Sequence, residues 1–76
     1  MTIAYVLLNT ELGQGSLVST ELEGVDEVKE VFGIYGVYDL IIKLEAENMS
    51  ELKEIIITKI RRIPNIRSSL TLIAVE

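Results

Sequence analysis

The first strand-like segment, Thr2 to Thr10, limits the fold more than any other part of the chain, because it is apolar on both sides of its pleat. Successive side chains of a strand point to opposite faces. Ile3, Tyr5 and Leu7 therefore share one side, and Ala4, Val6 and Leu8 the other. A sheet holding such a strand needs cover on both faces. At 76 residues the chain has room for one core, and a domain of that size buries only roughly 60 to 65% of its unfolded surface. Cysteine and histidine are both absent, which removes disulfide staples and the usual structural zinc ligands. Association between subunits is the expected supplement to so small a core.

The remaining elements follow from periodicity and punctuation. Gln14 to Leu22 is predicted as a short helix on the stripe Leu17, Val18 and Leu22. Gly24 stands where a left-handed C-terminal cap would fall. Val28 to Tyr35 and Asp39 to Ala46 are strand-like runs separated by Gly36-Val37-Tyr38, a spacing that fits a β-hairpin whose glycine takes a positive φ. Within the second run Leu40, Ile42, Leu44 and Ala46 share one face, while Ile41, Lys43 and Glu45 share the other. Asn48 is placed to cap a helix through the amide of Glu51, with Glu51 in position to reach back. The helix after it carries Leu52, Ile55, Ile56, Ile60 and Ile63 at three- and four-residue spacing. Lys59, Arg61 and Arg62 complement its negative end, and Pro64 stops it. Ile66 to Val75 is the last strand, with Leu70, Leu72 and Ala74 on one side and Ser69, Thr71, Ile73 and Val75 on the other.

Strand, helix, strand, strand, helix, strand is the βαββαβ order of the ferredoxin-like α+β fold, a four-stranded antiparallel sheet with two helices on one face. One domain over residues 1–76 is expected, with no segment left for a DNA-reading helix pair. The far face of the sheet has no cover in its own chain. An open apolar patch of that kind is rare on a stable monomer, so a second subunit stacked sheet against sheet, a dimeric α+β barrel, is expected.

Composition excludes several function classes. Twelve acids against seven bases leave a formal charge of -5, opposite in sign to what a duplex-binding domain needs to displace counterions from phosphates. Hydrophobic residues make up 49% of the chain, yet its apolar runs, such as Ala4 to Leu8, are far too short to span a bilayer. Met1-Thr2-Ile3-Ala4 lacks the basic start of a signal peptide, so the cytoplasm is the default compartment. Without histidine or cysteine, imidazole acid/base chemistry and thiol nucleophiles are impossible. Glu21, Glu23, Asp26, Glu27 and Glu30 fall where a solvated face would put them. Gly13-Gln14-Gly15-Ser16 lacks the third glycine of a dinucleotide loop and the lysine of a Walker loop. Tyr5, Phe32, Tyr35 and Tyr38 are the only aromatics, too few and too little accompanied by basic residues for an RNA-stacking sheet. No catalytic residue, metal ligand or cofactor is expected.

Local chemistry looks selective at Tyr35-Gly36-Val37-Tyr38-Asp39. A carboxylate such as Asp39 suits a ligand ammonium, amides near Gly36 suit a ligand carboxylate, and the hydroxyls of Ser69 and Thr71 would complete the hydrogen bonds. The same residues also have plain structural roles: Gly36 turns the hairpin, Asp39 caps the turn, and Ser69 and Thr71 are ordinary strand residues.

Four segments together resemble the effector domain of the leucine-responsive regulator/AsnC (Lrp/AsnC) family, the regulation-of-amino-acid-metabolism (RAM) domain. They are Val28-Lys29-Glu30-Val31, the hairpin Tyr35 to Asp39, Ile60-Arg61-Arg62-Ile63-Pro64, and Ser69-Leu70-Thr71-Leu72-Ile73. The resemblance covers nearly the whole chain. It implies dimerisation through the sheets, assembly of dimers into an octamer or similar ring, and binding of an amino acid between dimers. The ligand-binding residues it implies are Gly36, Tyr38 and Asp39 of the hairpin, with Ser69 and Thr71 at positions where the family usually has two threonines. Tyr35 stands where many members have threonine, and Val37 where a polar residue is common. The chain starts directly at the first strand and looks like the stand-alone form of the domain. The amino-acid-binding ACT domain is a neighbour with the same strand order.

These features lead to an expected regulatory, non-catalytic protein that binds a small metabolite at a subunit interface. The alternative is a structural partner that co-assembles with full-length Lrp/AsnC regulators and has no ligand of its own. An enzyme of the dimeric-barrel type stays open only because fold does not fix function.

Overall fold

A computed structural model describes residues 1–74 of the chain. Its elements are β1 (Thr2–Thr10), α1 (Gly15–Glu23), β2 (Val28–Gly33), β3 (Leu40–Ala46), α2 (Met49–Ile55) continuing into a π-helical turn (Ile56–Ile60), and β4 (Ile66–Ile73). The strands form one sheet in the order β2-β3-β1-β4, antiparallel at every pairing. This is the expected ferredoxin-like topology.

β1 and β3 are the central strands, and their alternation sorts the two faces. Ala4, Val6 and Leu8 pair across to Leu44, Ile42 and Leu40, and all six are buried in one core with Val18 and Leu22 of α1 and with Leu52, Ile55, Ile56, Ile60 and Ile63 of the second helical segment and the turn after it. Burying a side chain of that size contributes about 1.5 to 3 kcal/mol, so this layer dominates the stability of the domain. Both helices lie on that side. Ile3, Tyr5 and Leu7 point the other way, beside Leu70 and Leu72 of β4 and Ile41 of β3.

Several boundaries differ from those read in the sequence. β2 ends at Gly33 rather than Tyr35, and β3 starts at Leu40 rather than Asp39. The link between them is correspondingly longer, and it is closed by the amide of Ile34 donating to the carbonyl of Asp39 at 2.9 Å. Gly36 does take a positive φ, 144°. Gly24 does not: its φ is -82°. α1 instead closes on short-range bonds, Gly24 to Glu21 at 3.2 Å and Val25 to Leu22 at 3.0 Å, and such a tightened last turn needs no left-handed residue. The Asn48 side chain accepts from the Glu51 amide at 2.8 Å, as the cap requires. The return bond from Glu51 is not among the hydrogen bonds of the described residues.

The second helix does not run evenly to Pro64. Its last turn is wide, with the Arg61 amide donating to the Ile56 carbonyl five residues back at 2.9 Å, and Arg61 and Arg62 lie in the turn beyond it. Asn65 takes a φ of 73°, a conformation asparagine tolerates better than most residues, and its carbonyl accepts from the Glu11 amide at 2.8 Å. The ladder of β4 reaches Ala74, whose amide donates to Ile3 at 2.9 Å. Val75, expected to end that strand, lies outside the described residues.

Candidate functional site

The hairpin is held in place by Asp39. Its amide donates to the carbonyl of Leu8 at 2.9 Å, and its carboxylate oxygen Oδ2 accepts from the amide of Thr10 at 3.0 Å and from the Thr10 hydroxyl at 3.4 Å. The amides of even-numbered β1 residues face β3, and the β1–β3 pairing ends at Leu8 and Leu40, so the Thr10 amide lies just past that ladder, beside Asp39. The turn cap expected of Asp39 is replaced by a different structural role, a side-chain tie to Thr10 of β1. Asp39 nevertheless remains exposed, and Oδ1 takes no part in these bonds.

Gly36 adopts a backbone conformation that L side chains rarely enter, yet a Cβ built there would meet nothing within 4 Å. Glycine is required by φ and not by a close neighbour. Tyr38 is half-buried, while Tyr35 and Val37 project from the hairpin into solvent.

Ser69 and Thr71 lie at the opposite edge of the sheet. Ser69 pairs with Leu8, which on its other side pairs with Leu40. It therefore shares a row with the residue after Asp39 but stands two strands away, about 10 Å at the usual inter-strand spacing. Thr71 pairs with Val6, two residues further along β1. The five residues singled out in the sequence do not line one pocket within a single chain.

Two of them border concavities of the described residues, each a different one, and Gly36, Tyr38 and Ser69 line neither. Asp39 borders one of about 420 Å³ with Thr10, Glu11, Gly13, Gly15 and Arg67; there Arg67 approaches Glu11 at 3.7 Å. Thr71 borders another, of about 220 Å³, with Lys53, Ile56, Ile57, Arg61 and Ile73. Thr10 and this helical set were not recognised from sequence. The only signal for the latter was the four-residue spacing of Lys53, Ile57 and Arg61.

A further concavity, of about 460 Å³, lies between α2 and the start of β2 and is bordered by Glu27, Asn48, Glu51, Glu54, Thr58 and Lys59. Lys59 Nζ donates to both carboxylate oxygens of Glu27, at 3.0 and 3.2 Å. That hydrogen bond holds the Glu27 carboxyl below the ordinary glutamate range, against a smaller opposing effect of desolvation. The arrangement is an ion pair fastening the end of the second helix to the segment that leads into β2. Among the described residues no cluster of acids is arranged to hold a metal ion, and no helix is long and apolar enough to cross a membrane.

Comparison with known proteins adds context to this geometry. The description "Lrp/AsnC ligand binding domain" matches residues 3–76. The HTH-type transcriptional regulator FL11 of Pyrococcus abyssi is 27% identical over 74 residues, which make up 97% of this chain and 48% of that protein. This chain thus spans about half the length of the regulator. A homocitrate synthase of Saccharolobus islandicus is 41% identical over 54 residues, 71% of this chain but only 12% of the enzyme. Among solved structures, the crystal structure of hypothetical protein PHS023 from Pyrococcus horikoshii superposes with a TM-score of 0.94 at 38% identity, over 100% of this chain and 92% of that one.

Proposed function

This chain belongs to the Lrp/AsnC ligand-binding domain family, and from that premise we propose that it is a metabolite sensor which binds an amino acid between copies of itself and catalyses nothing. It acts as one unit over residues 1–76, in the cytoplasm, without contacting DNA. The ligand shifts the population of assemblies by its differential affinity for them.

One observation carries this proposal: the sheet face turned away from the helices is apolar and open. Phe32, Leu70, Leu72 and Tyr5 on it are 55, 44, 51 and 37% exposed, with the half-buried Ile3, Leu7 and Ile41 between them. A second copy stacked on this face removes the patch from water, and repeated contacts between such dimers build an octamer or similar ring. Assembly also answers the division of the candidate residues. Gly36, Tyr38 and Asp39 of one copy would be met by Ser69 and Thr71 of another, which a single chain keeps two strands apart.

The family relatives point the same way. A similar segment occupies about half of a transcriptional regulator and a small fraction of a biosynthetic enzyme, as suits a module that reports a metabolite to whatever it accompanies. The experiment is a measurement of melting temperature and sedimentation with each proteinogenic amino acid at millimolar concentration. A stabilised or redistributed assembly with a subset of them is expected, and a flat response across the set defeats the sensor.

The same open face favours a second role, co-assembly with full-length Lrp/AsnC regulators through the sheet and without a ligand. Co-purification with such a regulator that survives Asp39→Ala, combined with a flat amino-acid response, decides for that role.

A further inference from the structure

The groove between β4 and the π-helical turn has a chemistry of its own. Lys53, Ile57 and Arg61 line it together with Ile56, Thr71 and Ile73, around about 220 Å³. That is roughly seven times one water's share of liquid volume, which suits a short branched acid and is too little for a nucleotide. Ile57 is 60% exposed and Ile73 37%, so the wall is aliphatic and open to solvent.

The helical wall of the groove is irregular. The bond from the Arg61 amide back to Ile56 inserts one extra residue into the last turn of the helix, the turn that carries Ile57. Single π turns of this kind recur at functional sites. Its charge is equally distinctive. In a chain of net charge -5, the ion pairs of the described residues engage Lys43, Lys59 and Arg67, and neither Lys53 nor Arg61 takes part in one. Among the described residues the Thr71 hydroxyl makes no hydrogen bond and no carboxylate borders the groove.

We propose that this groove binds a small branched α-keto acid, a carboxylate without an ammonium. Arg61 and Lys53 hold the carboxylate, Thr71 donates to an oxygen of the ligand, and the branched chain lies on Ile56, Ile57 and Ile73. Among the described residues the groove offers no carboxylate to pair with an ammonium, and Lys53 and Arg61 repel one, so the corresponding amino acid binds more weakly. The proposal shares Thr71 with the amino-acid site and rests on that site only in taking the chain as a ligand-binding domain.

An amide-resolved NMR titration of the folded chain with α-ketoisocaproate, and separately with L-leucine, tests it. The keto acid is expected to shift the amides of Ile57, Arg61, Thr71 and Ile73 saturably, and L-leucine to bind there at least about fivefold more weakly. Arg61→Gln is expected to weaken keto-acid binding roughly tenfold, the effect of losing one charge-assisted hydrogen bond, with Lys53→Gln as the parallel variant should Arg61→Gln perturb the spectrum as a whole. Absence of a saturable shift in the groove, equal binding of both compounds, or insensitivity to both variants overturns the proposal. Sedimentation of Ile57→Lys supplies a further arm: a change of assembly, together with no keto-acid shift in the parent chain, makes the groove a subunit contact and also overturns it. Asp39→Asn separates the two sites. Keto-acid binding that persists while no amino acid acts on the parent chain keeps the groove and removes the sensor, and the reverse outcome does the opposite.

Discussion

Asp39 and Thr10 are joined by two hydrogen bonds, from the Thr10 amide at 3.0 Å and from its hydroxyl at 3.4 Å, both to Asp39 Oδ2. The contact links residues twenty-nine positions apart and ties the hairpin to the end of β1. Through it, the carboxylate proposed to meet a ligand also stiffens the segment that presents it.

Asp39→Ala should therefore lose stability as well as ligand response. Leaving the part-buried Thr10 amide without its acceptor costs about 1 to 3 kcal/mol, read as a lower urea midpoint with an unchanged m-value. Asp39→Asn keeps an oxygen acceptor and should recover most of the stability while the response to amino acids stays lost. Recovery of both in the Asn variant would reduce Asp39 to a structural tie.

Leu72→Asp on the open sheet face should dissociate the assembly. Tyr5 and Leu72 are paired across β1 and β4 and both are exposed, so the carboxylate adds no burden to a lone chain but lies buried and unpaired when two sheets stack. Sedimentation should move to the mass of a single chain at micromolar concentration. An unchanged profile would place the subunit contact elsewhere.

The pH dependence of stability has a small component from Glu27 and Lys59. Because the folded Glu27 carboxyl is held below its ordinary range by the Lys59 hydrogen bond, its contribution is complete above the unfolded-state pKa, about 4.3. It is lost as pH falls through the lowered folded value. The pair is partly solvated, so the effect should be at most about 0.5 kcal/mol. Comparing the parent with Lys59→Met by urea unfolding, at neutral pH and near pH 3, should show the difference between them shrinking in acid. A difference that grows in acid would contradict the sign.

Gly36→Ala isolates the role of backbone conformation. No atom stands within 4 Å of the new Cβ, so any loss comes from holding alanine at a φ of 144°, of order 1 to 3 kcal/mol. A variant as stable as the parent would mean that the hairpin relaxes to another conformation, and its ligand response should then change.

Most of the fold was legible because it follows from short-range patterns. The two-residue alternation in β1 and β3 separated core side chains from the open face, and the three- and four-residue spacing of Leu52, Ile55, Ile56 and Ile60 marked the second helix. Asn48 announced its start. Gly24 misled because a helix ends equally well on short-range bonds as on a left-handed residue. The π turn at Ile56–Ile60 was hidden, since three successive isoleucines, Ile55 to Ile57, fit an even helix as readily as a widened one.

By itself the amino-acid order determined the elements, their sequence along the chain and the presence of a sheet apolar on both sides, since each depends on neighbours a few residues apart. Only the tertiary structure decided that Thr10 is the partner of Asp39, and which register sets Ser69 opposite Leu8 and Thr71 opposite Val6. Those relationships arise from pairings between distant strands, whose register is set by burying one common core rather than by any local preference of the residues involved.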